Sequence, residues 1–423
     1  MKYLFFSFFP IVASLLLFSF KTAVEHVDEG VNAVSIENIA DSIIINLPDY
    51  KSKGLHIIKD AIDLQGKTWY LPSNLTLRIE GGLIKNGTIV GNNTVIDYNG
   101  GAIFDKVHIE GKWKVREIST SMFVDLSYEN ALKDVFALSS PDVNNIVKVD
   151  HGCYVVSAVN NYDHCIDIAS NTTVTIDGII LLTPNSHEGY SILHVNGSNI
   201  LINGKGSIVG DKRNHLGSVG EWGMGINIFG GQGITVRGIS VKDCWGDCIY
   251  ISGKSKNINI EGCLIDHGRR QGISIISAEN VIVKDCVITN VRGTAPQYAI
   301  DVEPNTGDMV DRVYITNVSA INCQGGIMSY GRAEKAMIGY IEVRNCTIKG
   351  SGFNPIYFQK GKRVLVDRCS IVDNSAKDKI VCDGIEDVII NNNIISIGLN
   401  QSSSQAIIVG GEKVKRINNN KIF

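Results

Sequence analysis

One phrase of sequence, written three times between Trp222 and Glu303, constrains this chain more than anything else in it. It reads Ile234-Thr-Val-Arg-Gly-Ile-Ser-Val and then Cys248-Ile-Tyr-Ile. It returns as Ile258-Asn-Ile-Glu-Gly-Cys-Leu-Ile with Gly272-Ile-Ser-Ile, and as Val281-Ile-Val-Lys-Asp-Cys-Val-Ile with Ala299-Ile-Asp-Val. Ile239, Cys263 and Cys286 hold one slot, 24 and 23 residues apart. A unit of short alternating strands that small cannot bury an apolar face alone, so its copies must stack. Two or three strands per copy, coiled and stacked, make a parallel β-helix. The slot continues at Val318, Cys346, Cys369 and Asn393, at intervals of 32, 28, 23 and 24 residues. The two long intervals mark inserted turns, which solenoids gather on one side, often the binding side.

Composition agrees. Among 423 residues there are 43 glycines and 8 prolines, suited to many strands and tight turns where Gly and Asn accept positive φ. Length alone would suggest two or three domains, but a solenoid grows without closing a second core. The net charge of −3 and the lack of a basic stripe give no reason to expect a nucleic-acid partner.

Met1-Lys2 and the apolar run Tyr3 to Phe20 read as an export signal, removed near Ala23, or as an anchor if uncleaved. The expected location is therefore periplasm, cell surface or medium, in a bacterium, with no membrane contact once residues 1–23 are gone. Ten cysteines in an exported chain invite disulfides. Cys263, Cys286, Cys346 and Cys369 instead share one slot among inward Ile and Val. Parallel in-register side chains make poor disulfide geometry, so they read as small interior hydrophobes. Cys153 with Cys165 is the pair left to watch.

The fold class expected is all-β: a right-handed parallel β-helix with an N-terminal β-rich region and one capping helix. Residues 24–125 carry partial period-two alternation and are either an entry module or the first coils. Ser127 to Leu138 forms the helix, with Ser127 as N-cap and Ala131, Leu132, Val135, Phe136 and Leu138 on one face. Residues 126–423 hold this helix and the main stack. Asn391, Asn392, Asn393, Asn418, Asn419 and Asn420 read as turn and ladder asparagines.

Gly246-Asp-Cys-Ile-Tyr-Ile-Ser-Gly, with Gln271-Gly-Ile-Ser-Ile one coil later, resembles the pectin-lyase-like superfamily of right-handed β-helices. The nearest enzyme pattern is that of the polygalacturonase-type glycoside hydrolases. Those carry Asn-Thr-Asp, Asp-Asp-Cys-Ile and Gly-His-Gly-Ile-Ser-Ile on successive coils. The resemblance implies the fold from about Ile146 to Phe423, and its motif likeness is confined to residues 222–275. Asp247 matches the second Asp of the pair and Gly246 replaces the first. Gln271 stands where the His would be, and Trp222-Gly223-Met224 takes the place of Asn-Thr-Asp. One carboxylate of three is kept, whereas inverting hydrolysis needs an acid and a base.

Aligned by strand, Met224, Asp247, Gln271 and Tyr298 form one vertical stack. Two-residue alternation places Asn227, Tyr250, Ser274, Asp301, Met328 and Tyr357 in a second, outward stack. A third holds Ser252, Ile276, Glu303, Tyr330 and Gln359. Arg269 and Arg270 end the turn before Gln271, and His215, Glu221 and Trp222 lie in the long turn preceding this face. Carboxylates beside aromatic platforms suit sugar binding, and arginine suits the carboxylate of an acidic sugar. Each residue also has a plainer reading. Asp247 could cap a turn, Arg269 and Arg270 could bridge to Asp247 and Asp266, and His215 and His267 read as surface histidines.

These observations lead to a first expectation of an exported enzyme acting on a polysaccharide along the β-helix face. Hydrolysis would pair Asp247 with Asp301 or Glu221. Elimination on an acidic glycan would use Arg269 or Arg270 against the substrate carboxylate, with an arginine or Tyr250 taking the proton. No cofactor is certain, and Ca2+, which lyases of the superfamily often use, would fall to Asp247, Asp301 and Glu303. Trp222, Asn227, Tyr250, Arg269, Gln271, Ser274, Tyr298, Glu303 and Tyr330 would contact the glycan, with Asp247, Asp301, Glu221 and Arg270 as catalytic candidates. The second expectation is a non-catalytic glycan-binding or adhesion solenoid. A tailspike-like role is a third, against which the leader argues.

Overall fold

A typical coil lays down three strands, the first two merging into one in coils such as that of Ile356–Asp367, and strands pair in parallel with their counterparts one coil away. The computed structural model describes residues 54–397, 403–411 and 413–423. The expected export leader, residues 1–23, falls outside these. One coil consists of Trp222–Phe229, Gln232–Arg237 and Ser240–Lys242, and the next of Ile249–Ser252, Ser255–Glu261 and Leu264–Asp266. The described residues form one compact unit, a right-handed parallel β-helix.

Inward positions form vertical ladders. Ile226, Ile249, Ile273, Ile300, Ile327, Ile356 and Ile380 pair rung by rung, and all are buried. β-Branched side chains are stiff and pack well on a pleated surface, and burying one contributes roughly 1.5–3 kcal/mol. The turn before the third strand repeats as faithfully. Gly238, Gly262, Asp285, Asn317, Asn345, Arg368, Asn392 and Asn419 occupy it, every one at positive φ. Gly, Asn and Asp reach that region at least cost, which explains the recurrence of these residue types.

The cysteine slot is interior, as expected. Cys263, Cys286, Cys346 and Cys369 are buried and free, each S–H lying against backbone carbonyls. Cys153 and Cys165 are also free, one exposed and one buried. Asn393 fills the slot where the stack nears its C-terminal end. It accepts the Cys369 N–H at 2.8 Å and donates to the Val366 carbonyl at 3.1 Å. Asn393→Ala should strand both groups and cost about 1–3 kcal/mol, read by urea denaturation. A loss below about 0.5 kcal/mol would mean that water replaces the amide.

Of the N-terminal region, the described residues 54–125 form coils. Leu55–Ile58, Thr76–Ile79 and the end of Leu83–Tyr98 pair in parallel, as do Ala61–Asp63, Leu83–Tyr98 and Phe104–Trp113. The helix is shorter than expected, Ala131–Ala137, and its N-cap is Asn130 in the left-handed region rather than Ser127. Ser127 instead closes a local turn, its N–H donating to Asp125 at 2.8 Å. Asp134 accepts the Ile109 N–H at 2.8 Å and so fixes the helix across the edge of Phe104–Trp113. The helix packs on Phe104–Trp113 and on Cys153–Val156 and Asp163–Asp167 of the main stack, to which Glu117–Ser119 also connects the N-terminal coils. Among the described residues no helix is long and apolar enough to cross a membrane.

Candidate active site

The first strand of each coil builds the face of interest. Its register places Asn227, Tyr250, Ser274, Asp301, Met328 and Tyr357 on successive rungs, the stack read from the sequence. Outward does not mean exposed here. Asp247, Gln271, Ser274 and Asp301 are all wholly buried, because the turn carrying Arg269 and Arg270 folds over them.

Arg270 is the hub. Its side chain, 17% exposed, lies 3.2 Å from Glu221, 3.4 Å from Asp247 and 3.9 Å from Glu303. Asp247 also accepts from the Ser274 hydroxyl at 2.8 Å, and Asp301 from the Gln271 amide at 2.8 Å. Gln271 spends its carbonyl oxygen on the Tyr298 N–H at 2.7 Å, so both ends of its amide are committed. One oxygen each of Asp247 and Asp301 is buried without a hydrogen-bond partner.

Three carboxylates thus meet one guanidinium, and the charge of a fourth, Asp301, also acts on it. Burial pushes the Asp247 carboxyl up despite Arg270 and Ser274. Burial first, then the Glu303 charge, pushes Asp301 well above the usual carboxylate range. Burial also raises Glu303, against the pull of Arg270 and a hydrogen bond from Asp301, while Asp247 and Glu221 push it further up. The two ends of the Arg270–Asp247 pair tell different stories. The guanidinium is held more firmly protonated, its burial outweighed by its acidic neighbours, while the carboxyl remains easier to protonate than in water. A single 3.4 Å contact does not repay full desolvation of the carboxylate, so the raised Asp247 is the better guide to the pair. Asp301 is the more strongly raised of the two acids at positions 301 and 303, and holds a proton more tightly than Glu303.

The raised Asp301 sets a pH dependence. A carboxyl raised in the folded state stabilises below its unfolded pKa, and this contribution is lost as pH climbs through the folded value. Asp301→Asn should therefore gain on the parent protein from about pH 4 upward. Urea melts at pH 4, 6 and 8 measure the difference, and a gap that does not widen with pH would refute the raised Asp301.

Two departures from the hydrolase motif have steric causes, those at Gly246 and at Gly223, the latter the place of the motif's Thr. A side chain at Gly246 would meet the Glu221 carbonyl oxygen at 2.3 Å, so the first Asp of the pair has no room. A side chain at Gly223 would strike the Tyr190 ring at 2.6 Å. Both places are closed by a network the sequence reading missed. The Tyr190 hydroxyl donates to Asp211 at 2.5 Å, and Asp211 pairs with His215 Nδ1 at 2.8 Å. His215, expected at the surface, has a fully buried side chain and stacks on Trp245 at 3.8 Å. Arg269 lies 3.7 Å over the same ring and donates to the Gly220 carbonyl at 2.7 Å. This network clamps the turn that presents Glu221 and Trp222. The period-two pattern of Gly189 to Val195 was the available signal for Tyr190, but nothing local marks Asp211 or Trp245.

Of the other expected residues, Trp222 is 46% exposed and faces Tyr162 with ring centroids 6.1 Å apart. Asn227 donates to Ser191 at 2.9 Å, and Tyr298 is buried against Gly325. Tyr250 and Tyr330 are half-buried. Asp266 bonds His267, Thr289 and Asn290 rather than Arg269. Calcium does not fit among Asp247, Asp301 and Glu303, because the position a cation would take is filled by the Arg270 guanidinium.

Residues 156–306 match the family model for a right-handed β-helix region. The SPbeta prophage-derived uncharacterized protein YorA of Bacillus subtilis (strain 168) is 28% identical over 207 residues, 41% of this chain and 35% of its own. The uncharacterized protein YclG of the same organism is 34% identical over 164 residues, 34% of this chain and 28% of its own. The chain thus matches about a third of the length of these curated relatives. Among solved structures, the hyperthermoactive exopolygalacturonase of Thermotoga maritima superposes with a TM-score of 0.51 at 11% identity, covering 69% of this chain and 88% of that one. That likeness is one of fold. The chain has the pectin-lyase-like right-handed β-helix fold that its sequence resembles.

Proposed function

We propose that the protein is an exported glycoside hydrolase acting on a polysaccharide laid along the first-strand face. The observation that carries this reading is the Arg270 cluster. Of its four carboxylates, Asp247 and Asp301 are sealed, whereas Glu303 and Glu221 reach solvent with side chains 30% and 42% exposed. Glu303, with Asp301 behind it as proton reserve, is the acid that protonates the leaving glycosidic oxygen. Glu221 takes the proton of the attacking water, leaving a new reducing end and a free hydroxyl. Arg270 holds the two in place, and Trp222 with Tyr162 offers an apolar platform for a sugar ring. The fold likeness to an exopolygalacturonase supports a saccharide substrate.

The roles differ from those read in the sequence. Asp247 and Asp301 act from behind, and Glu303 moves from binding to catalysis. Elimination is disfavoured because neither arginine is free to neutralise a uronate: Arg270 is spent on carboxylates and Arg269 on Trp245 and Gly220. The acidic cluster likewise favours a glycan without a carboxylate at the bond cut. The sealing of Asp247 and Asp301 favours, as second reading, a glycan-binding solenoid without turnover. Digestion of neutral and acidic polysaccharides, followed by reducing ends and ultraviolet absorbance together, separates the readings. Reducing ends alone support hydrolysis, and absorbance from an unsaturated product would replace it with elimination. Binding without either signal would leave the adhesion reading.

A further inference from the structure

A second cluster stands on the same face, away from Arg270. Asp167 pairs in register with His194, and His194 with Asn227, so both belong to the column that runs on through Tyr250 and Ser274 to Asp301. His194 and Asp301 are four rungs apart, about 19 Å at the usual strand spacing. His164 joins them through a break in alternation. Residues three apart on a regular strand face opposite sides, but Cys165 and Ile166 are both buried, so His164 and Asp167 both turn outward.

Asp167 Oδ1 lies 2.7 Å from His194 Nδ1 and 3.6 Å from His164 Nδ1. Three ligands on a tetrahedral ion with bonds of about 2.0–2.1 Å sit roughly 3.3 Å from one another, between these two values. One donor atom from each residue lies within 4.8 Å of the other two, the one such grouping among the described residues. The trio opens onto a groove of about 690 Å³, lined also by Lys133, Phe136 and Asn196. Nothing in the Arg270 cluster requires two imidazoles here.

We propose that His164, His194 and Asp167 bind a divalent first-row transition metal of the zinc kind, with a fourth position open to the groove. Two imidazoles and one carboxylate suit zinc or cobalt, whereas calcium and magnesium take oxygen sets. The two rings now stack with centroids 3.5 Å apart at 25°, so their lone pairs do not converge. Binding turns the His164 ring, which is on the exposed rim, while His194 stays buried and fixed.

The test uses the purified, untagged protein, stripped with a chelator and titrated with Co2+. The expected result is one equivalent with the visible absorption of a tetrahedral site, displaced by Zn2+. His164→Ala, His194→Ala and Asp167→Asn should each weaken binding roughly tenfold or more. Asp167 is exposed, so its variant keeps the fold and carries the test if His194→Ala melts early. Absence of Co2+ binding in the parent protein would overturn the site, as would unchanged affinity in Asp167→Asn.

Discussion

Glu303→Gln should bind the polysaccharide with unchanged affinity and turn it over about 10²–10⁴ times more slowly. The amide keeps the shape of the side chain and its reach to Arg270, but it has no proton to give to a glycosidic oxygen. The loss should shrink on a substrate whose leaving group needs no proton, such as an activated aryl glycoside. That contrast separates an acid from a residue that merely shapes the groove, which would lose activity equally on both. Glu221→Gln should slow both substrates alike, because attack by water is needed in either case. A Glu303→Gln protein that hydrolyses the polysaccharide at the parental rate would remove the acid from this cluster and the hydrolase reading with it.

The backbone of this arrangement was legible in the sequence. Two-residue alternation and the cysteine slot aligned the rungs from Asn227 to Tyr357 as the structure pairs them. Even the long intervals to Val318 and Cys346 fell in register, since Ser319 pairs with Val287 and Thr347 with Ser319. What periodicity cannot give is the course of the turns, and the turns decide what is sealed. Asp247 and Asp301 were aligned correctly and judged reachable, because nothing in a strand pattern says that Arg270 folds across them. The same limit hid Asp211 and Trp245, which lie in turns and act through contacts 21 and 55 residues away. The motif comparison recorded the loss of two acids, at Met224 and at Gly246, without a cause. At Gly246 the cause is the Glu221 backbone, which leaves no room for a side chain, while Met224 is a buried apolar residue in the acid's place. Elsewhere the column continued upstream unnoticed: the pairing that joins Asn227 to Tyr250 also joins it to His194 and Asp167.

The second large effect concerns Arg270 itself. Arg270→Met would leave Asp247 buried with its Ser274 bond and no cation, and removing one partner of a buried pair typically costs about 3–5 kcal/mol. The loss should depend on pH in a definite sense. Without the guanidinium the carboxyls of Asp247 and Asp301 are raised still further in the folded state. Their contribution is then intact below the unfolded value near pH 4 and drains away as pH rises through the folded one. The variant should thus lie close to the parent protein in urea melts at pH 5 and far below it at pH 8. Adding Asp247→Asn should recover much of the loss at pH 8, since the amide can keep the Ser274 bond and carries no charge to strand. If the single variant is equally destabilised at both pH values, lost packing of the arginine stem explains it instead. Arg270 would then hold the cluster by shape, and the protonation of Asp247 and Asp301 would not depend on it.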